Sequence, residues 1–273
     1  MTQLEYEPGS VFKVLTMSAG IDSGAITPNT TYYDSGSVTI NGRTIKNWDL
    51  KAHGTQTMTN VIEKSLNTGA VFAEEQMGHD VFTSYIKKFG FGQKTGVTLP
   101  GELNGDIRNL SGGRDINYAT AAFGQGVAVT PLQMITAFSA VANGGVLMKP
   151  IITKDQQPEM VRRVISTKTA SKVVDMMVSA VDKNILAHVP QYSVAGKTGT
   201  AYIPDFTNGG YTDNVNNTFI GFAPASHPRF VVLVRLNDPA DAPLAGHTVV
   251  PAFKQMTEFL LNYYAVAPDR PNE

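Results

Sequence analysis

A chain of 273 residues with 42% apolar side chains can bury a large core, as one domain of two lobes or as two domains. A formal net charge of −1 with 16% charged residues and no basic stripe excludes a nucleic-acid footprint, because nothing in it can neutralise a run of phosphates. The absence of cysteine rules out a disulfide framework and thiolate chemistry, and no apolar run is long enough to span a bilayer.

Apolar periodicity predicts a helix from Ser10 to Gly20, then a short hairpin or loop over Thr31–Asn47 with its turn at Asn41-Gly42. One or two helices follow over Thr57–Met77, and another over Val81–Phe89 that stops at Gly90. A Gly- and Asn-containing loop is expected over Phe91–Arg114. Thr130 then opens an apolar helix with Pro131 in its first position, and Asn143-Gly144-Gly145 ends it. Thr167–Asp182 reads as helix. Three strands come next, Tyr192–Tyr202, Asn217–Ala223 and Phe230–Leu236, with a turn at Ser226-His227-Pro228. An amphipathic helix, Val250–Tyr263, precedes a polar tail, Pro268–Glu273. Helices first, then an antiparallel meander covered by a terminal helix, is an α+β arrangement. The expected division is a single domain over 1–273, with a helical lobe at roughly 10–185 and a strand-and-helix region at roughly 190–265.

Three short signatures stand in order: Ser10-Val11-Phe12-Lys13, Ser65-Leu66-Asn67 and Lys197-Thr198-Gly199. Each has a decoy or is short enough to arise by chance. Ser84-Tyr85-Ile86-Lys87 repeats the first pattern and Lys94-Thr95-Gly96 the third. Context separates them. Ser10 follows the turn Glu7-Pro8-Gly9 and opens a helix, where unpaired backbone N–H groups surround its hydroxyl, whereas Ser84 lies mid-helix. Lys197 sits in an extended segment, whereas Lys94 falls in a Gly-rich loop.

Residues three apart on a helix share a face, so the Lys13 amine can reach the Ser10 hydroxyl, and Ser10 is the expected nucleophile. To accept that proton the amine must be neutral, and lowering a lysine from about 10.4 toward 7 costs roughly 4 to 5 kcal/mol. Burial and the second cation Lys197 are the expected sources of that shift. Ser65 is placed to relay a proton to a leaving amine, with Asn67 an amide partner for substrate or for Lys13. Lys197 adds positive potential, while Thr198 and Thr200, flanking Gly199, offer hydroxyls to a substrate carboxylate.

The ordered signatures resemble the transpeptidase domain of class B penicillin-binding proteins. Further stretches carry the likeness: Tyr6-Glu7-Pro8-Gly9-Ser10, Asn47-Trp48-Asp49, Phe123-Gly124-Gln125-Gly126, Thr130-Pro131-Leu132-Gln133, Ala195-Gly196-Lys197-Thr198-Gly199-Thr200-Ala201 and Phe219-Ile220-Gly221-Phe222-Ala223-Pro224. The resemblance implies an antiparallel sheet flanked by helices plus a helical subdomain, and a D,D-transpeptidase that cross-links peptidoglycan stem peptides and is acylated by β-lactams. It implies an oxyanion hole from the backbone N–H groups of Ser10 and Thr200. It also implies action on the outer face of the bacterial cytoplasmic membrane, beside a membrane glycosyltransferase, and no cofactor. Only nine residues precede Ser10, whereas the family carries a membrane anchor, a pedestal and the first sheet strands there, so those strands are expected to be missing.

Two other readings stay open on the same fold: a β-lactam sensor that is acylated once, and a hydrolase, either D,D-carboxypeptidase or β-lactamase. Against the latter, the class A hydrolases carry a water-activating Glu where this chain has Pro100, in Pro100-Gly101-Glu102-Leu103-Asn104, and Glu102 reads as a loop residue without catalytic duty. His53, His79, His188, His227 and His247 show no metal-ligand spacing, so no metal is expected; His247 is a candidate cleft residue. Trp48 reads as a packing residue and Gln125 as a turn former.

Overall fold

The computed structural model describes residues 1–183, 186–205, 207–240 and 244–271. A short 3-10 turn, Gly9–Phe12, runs directly into α1, Lys13–Asp22, and Lys13 through Ile21 are all buried. A helix buried on every side is a central one, and α1 is packed among the other helices, while the 3-10 turn ahead of it packs against the sheet.

Four short strands follow: β1 (Thr31–Asp34), β2 (Ser37–Ile40), β3 (Arg43–Lys46) and β4 (Gly54–Thr57). The expected hairpin is β2–β3, turning at Asn41 and Gly42, both at positive φ as the tight hairpin turn requires. It sits inside a second ribbon, because β1 pairs not with its neighbour but with β4, from Thr31 opposite Thr57 to Asp34 opposite Gly54. Two helices rather than one then flank the second signature, α2 (Met58–Lys64) and α3 (Asn67–Met77). Thr57 and Asn60 cap α2 reciprocally.

After α4 (His79–Lys88) and the loop, a helix that periodicity did not reveal, α5 (Asp115–Ala121), precedes α6 (Pro131–Ala142). The Thr130 hydroxyl and the Gln133 amide cap α6, as its start signal predicts. A ribbon of β5 (Val146–Met148) and β6 (Met160–Arg163) leads to α7 (Thr167–Asp182). The three expected strands are β7 (Ala195–Pro204), β8 (Tyr211–Ala223) and β9 (Phe230–Asn237), antiparallel in the order β7-β8-β9, with β8 reaching six residues further back than its apolar run. The closing helix α8 (Val249–Tyr263) packs on β8 and β9. The polar tail is described as far as Pro271; its last two residues lie outside the described ones.

The α+β architecture expected from the sequence is borne out, with three two-stranded ribbons added to the helical region. One apolar cluster runs from Phe12, Leu15 and Met17 of the first helical segment through Phe138 of α6 to Ile220 and Phe222 of β8. A second lies between sheet and α8, where the rings of Phe219 and Phe253 are 4.2 Å apart. The 3-10 turn, the α2–α3 junction and β7 therefore converge from three sides on the start of α1.

Candidate active site

The turn that presents Ser10 is built by close backbone approach. Gly9 sits at φ +61°, and a Cβ there would lie 2.9 Å from the Cβ of Ala201 and 3.1 Å from the Thr200 carbonyl. Opposite it, a Cβ on Gly199 would lie 3.0 Å from the Pro8 carbonyl and 3.1 Å from Val11 Cγ1. Glycine at both positions lets β7 lie directly against the turn that presents Ser10. The loop behind is tied on by Gly9 N–H donating to the Gly124 carbonyl at 3.0 Å and Gly126 N–H to Glu7 Oε1 at 2.9 Å, so Gln125 lies in the turn its flanking glycines predict. Glu7 also accepts from the Tyr211 hydroxyl at 3.0 Å, and burial pushes its carboxyl up to about 7.

Lys13, 0% exposed, lies at the centre. Its Nζ stands 2.9 Å from Ser10 Oγ, 2.7 Å from the Ser65 carbonyl, 2.8 Å from Asn67 Oδ1 and 3.2 Å from Ser65 Oγ. Two of these partners, the carbonyl and the amide oxygen, can only accept. A neutral amine would give them its two N–H groups and keep its lone pair for the Ser10 hydroxyl. Desolvation, aided by the charge of Lys197, holds the Lys13 amine well below the usual lysine range. The contacts accommodate a neutral amine, and burial favours it over the charged one.

Ser65 and Asn67 are placed by the α2–α3 junction. Ser65 ends α2 in the left-handed conformation, φ +59°, and Leu66 is buried as the anchor between the two polar residues. Asn67 then opens α3, its Nδ2 donating to the Lys46 carbonyl at 2.8 Å so that Oδ1 faces Lys13.

On β7, Lys197 is 3% exposed, has no carboxylate partner among the described residues, and donates only weakly, to the Thr198 carbonyl at 3.2 Å and Oγ1 at 3.4 Å. Burial brings its ammonium down to about 7. Thr198 is half-buried and Thr200 exposed on the same strand face, with buried Gly199 between them. The Thr200 hydroxyl donates to Asn217 Oδ1 at 3.1 Å, and Asn217 Nδ2 donates to Thr248 Oγ1 at 3.1 Å. Asn217 was not singled out from the sequence. A polar pair, Asn216-Asn217, heading a buried strand was the signal available.

The structure brings Ser10, Lys13, Ser65, Asn67 and Lys197 together with the Thr198–Thr200 strand edge, and disperses the decoys. Ser84 is an exposed residue inside α4, and Lys94 lies in the loop before the first signs of regular structure return at residue 106. Glu102 is buried and accepts from Thr95 N–H (2.8 Å), Thr95 Oγ1 (2.5 Å) and Gly96 N–H (3.2 Å), so its carboxylate braces that loop. One expectation needs correction. Trp48 is 61% exposed rather than packed, because its indole N–H reaches out to the Lys64 carbonyl at 3.0 Å. His247 lies exposed in a 3-10 turn ahead of α8 that packs against β7. No cluster of metal-ligating side chains occurs among the described residues.

The sequence profile of the family described as "Penicillin binding protein transpeptidase domain" matches residues 1–258. The chain belongs to that family. This penicillin-binding transpeptidase domain is 38% identical over 260 residues to "Stage V sporulation protein D" of Bacillus subtilis, covering 89% of this chain and 40% of that protein. It is 32% identical to "Probable peptidoglycan D,D-transpeptidase PenA" of Neisseria flavescens, covering 97% of this chain and 66% of the relative. It superposes on the apo transpeptidase domain of Burkholderia pseudomallei penicillin-binding protein 3 with TM-score 0.90 and 33% identity, over 99% of this chain and 83% of the other. A penicillin-binding protein 3 from Mycobacterium tuberculosis solved with aztreonam matches at TM-score 0.87 and 32% identity, over 99% of this chain and 65% of that one. The resemblance to class B transpeptidase domains is therefore borne out. The domain spans less than half the length of the Bacillus relative.

Proposed function

We propose that this domain is a serine D,D-transpeptidase that works through an acyl-enzyme on Ser10. The observation that carries the reading is the buried Lys13 amine, its Nζ 2.9 Å from Ser10 Oγ and 2.7 and 2.8 Å from two oxygens that can only accept, the Ser65 carbonyl and Asn67 Oδ1.

In the proposed sequence Ser10 Oγ bonds to the penultimate D-Ala carbonyl of a stem peptide while its proton passes to Lys13 Nζ. The backbone N–H groups of Ser10 and Thr200 receive the oxyanion, where each such donor is typically worth roughly 100-fold or more in rate. As the C–N bond breaks, the proton reaches the departing D-Ala amine through Ser65 Oγ. The amine of a second stem peptide then attacks the ester, gives up its proton along the same route, and frees the serine. Lys197, Thr198 and Thr200 hold the terminal carboxylate of the donor. A β-lactam enters by the same first step, its ring amide opening without a departing group. Engagement of Glu102 in loop support favours an amine over water as the acceptor.

The substrate class places the domain on the outer face of the bacterial cytoplasmic membrane, beside a membrane glycosyltransferase. Among the described residues no helix is long and apolar enough to cross a membrane. The test is turnover of a peptide ending in D-Ala-D-Ala in the presence of an amine acceptor. Transfer product exceeding hydrolysis is expected; hydrolysis alone makes the domain a carboxypeptidase, and a permanent β-lactam adduct without peptide turnover makes it a sensor.

A further inference from the structure

Asn67 holds the Lys13 amine, yet nothing on its own helix holds Asn67. The residue before it, Leu66, occupies the N-cap of α3 and has no side-chain acceptor to offer. That acceptor comes instead from 20 residues upstream. Asn47 Oδ1 accepts from the Asn67 N–H at 2.9 Å, from the Thr68 N–H at 3.3 Å and from Thr68 Oγ1 at 3.3 Å. The Asn47 amide is itself oriented, because its Nδ2 donates to both oxygens of Asp34, at 3.0 and 2.8 Å, and to the Lys51 carbonyl at 3.2 Å.

Asp34 is 0% exposed and forms no ion pair among the described residues. Its remaining donors are the Gly36 N–H at 2.9 Å and Thr68 Oγ1 at 2.8 Å. An unpaired carboxylate is costly to bury, and a shell of neutral donors this complete makes it a fixed point rather than a mobile charge. The neighbours of Asn47 grip the same junction: the Lys46 carbonyl accepts from Asn67 Nδ2, and the Trp48 indole N–H donates to the Lys64 carbonyl. Lys46 and Lys64 lie exposed, and the Lys64 ammonium is turned to Gln56 Oε1 at 2.8 Å, so neither side chain adds charge to this chain of contacts. The charged group that acts on the Lys13 amine is Lys197 on β7, while Asp34 stands behind Asn47.

We infer that Asn47, clamped by the buried Asp34 carboxylate, is the positioning residue of the active site: it caps α3 from outside and so fixes the Asn67 amide against Lys13. The inference rests on the Ser10 acyl-enzyme reading. An amide is demanded at position 47 because one end must accept from helix N–H groups while the other donates to a carboxylate. The one equivalent of that size is the reciprocal pair, in which a carboxylate at 47 accepts both from the helix N–H groups and from an amide at 34 and gives up only the contact to the Lys51 carbonyl.

That exchange is the test. The rate of acylation by a fluorescent penicillin is measured from roughly pH 6 to 9 on the parent chain, Asn47→Asp, Asp34→Asn and the double variant, with thermal unfolding as the check on folding. Asn47→Asp sets two carboxylates face to face and is expected to slow acylation by about tenfold or more near pH 8, given how steeply rate follows misplacement of a base. The double variant restores the pair and is expected to recover to within about threefold, but with its acidic limb moved to higher pH, because the negative charge now sits against the Asn67 N–H, one residue from the Lys13 amine. A purely architectural pair would be rescued without that shift. Acylation of Asn47→Asp at the parental rate overturns the inference, as does a folded double variant that stays slow or keeps the parental limb. Should Asn47→Asp not fold, the profile of the double variant decides alone. A parent chain that takes no label overturns the Ser10 reading itself and the inference with it.

Discussion

Two buried lysines set the behaviour of the site, and both are held away from their ordinary ionisation by desolvation. They are needed in opposite states. Lys13 serves as base only when neutral, so acylation rises with pH as its amine loses its proton. Lys197 attracts a carboxylate only when charged, and it titrates at about 7. Acylation by a carboxylate-bearing penicillin should therefore follow a bell, falling on the alkaline side of about 7 as Lys197 loses its charge. Lys197→Arg keeps the cation at every accessible pH, so its rate profile should lose the alkaline limb while keeping the acidic one. An unchanged alkaline limb in that variant would show that some other group titrates there.

At the scale of elements, the site depends on three pieces of backbone meeting without side chains between them. Gly9→Ala adds a Cβ 2.9 Å from that of Ala201, at a positive φ that disfavours alanine by roughly 1 to 2 kcal/mol. The expected result is a lowered unfolding temperature together with acylation slowed about tenfold or more, because β7 must back away from Ser10. Acylation at the parental rate in a folded Gly9→Ala chain would contradict the close-approach argument. The grouping of Ser10, Lys13 and the Lys197-Thr198-Gly199 strand was legible because the proposed chemistry requires fixed short spacings, and Thr130-Pro131 through Gln133 was legible as a local start signal. The ribbons were not. β1 meets β4 across some twenty residues, and strands of three or four residues such as β5 and β6 are too short for a period to emerge. Asn47 was visible only as part of a resemblance, since its partners lie at 34, 67 and 68 and its role exists only after the β2–β3 hairpin folds back onto α3.

On the scale of the whole molecule, the sheet ends at β9, whose outer edge has no ladder partner among the described residues. Next to it α8 turns Met256, Phe259 and Tyr263 outward at helical spacing, 47%, 60% and 70% exposed, with the Phe259 and Tyr263 rings stacked at 5.9 Å. An open edge beside an exposed apolar stripe is a site of self-association. Light scattering should show the chain associating as concentration rises, and Met256→Lys with Phe259→Ser should suppress this without changing acylation, since α8 packs on β8 and β9 whereas the turn that presents Ser10 packs chiefly on β7. Association undiminished by that pair of changes would place the adhesive surface elsewhere.

The account as a whole turns on one hydroxyl being activated by one uncharged amine. Intact-mass measurement after incubation with a penicillin reads this directly, on the native chain and on Ser10→Ala. The predicted result is a long-lived mass increase of one whole penicillin on the native chain, mapped to the peptide that contains Ser10, and none on Ser10→Ala. A native chain without an adduct, or an equal adduct on both, would contradict it.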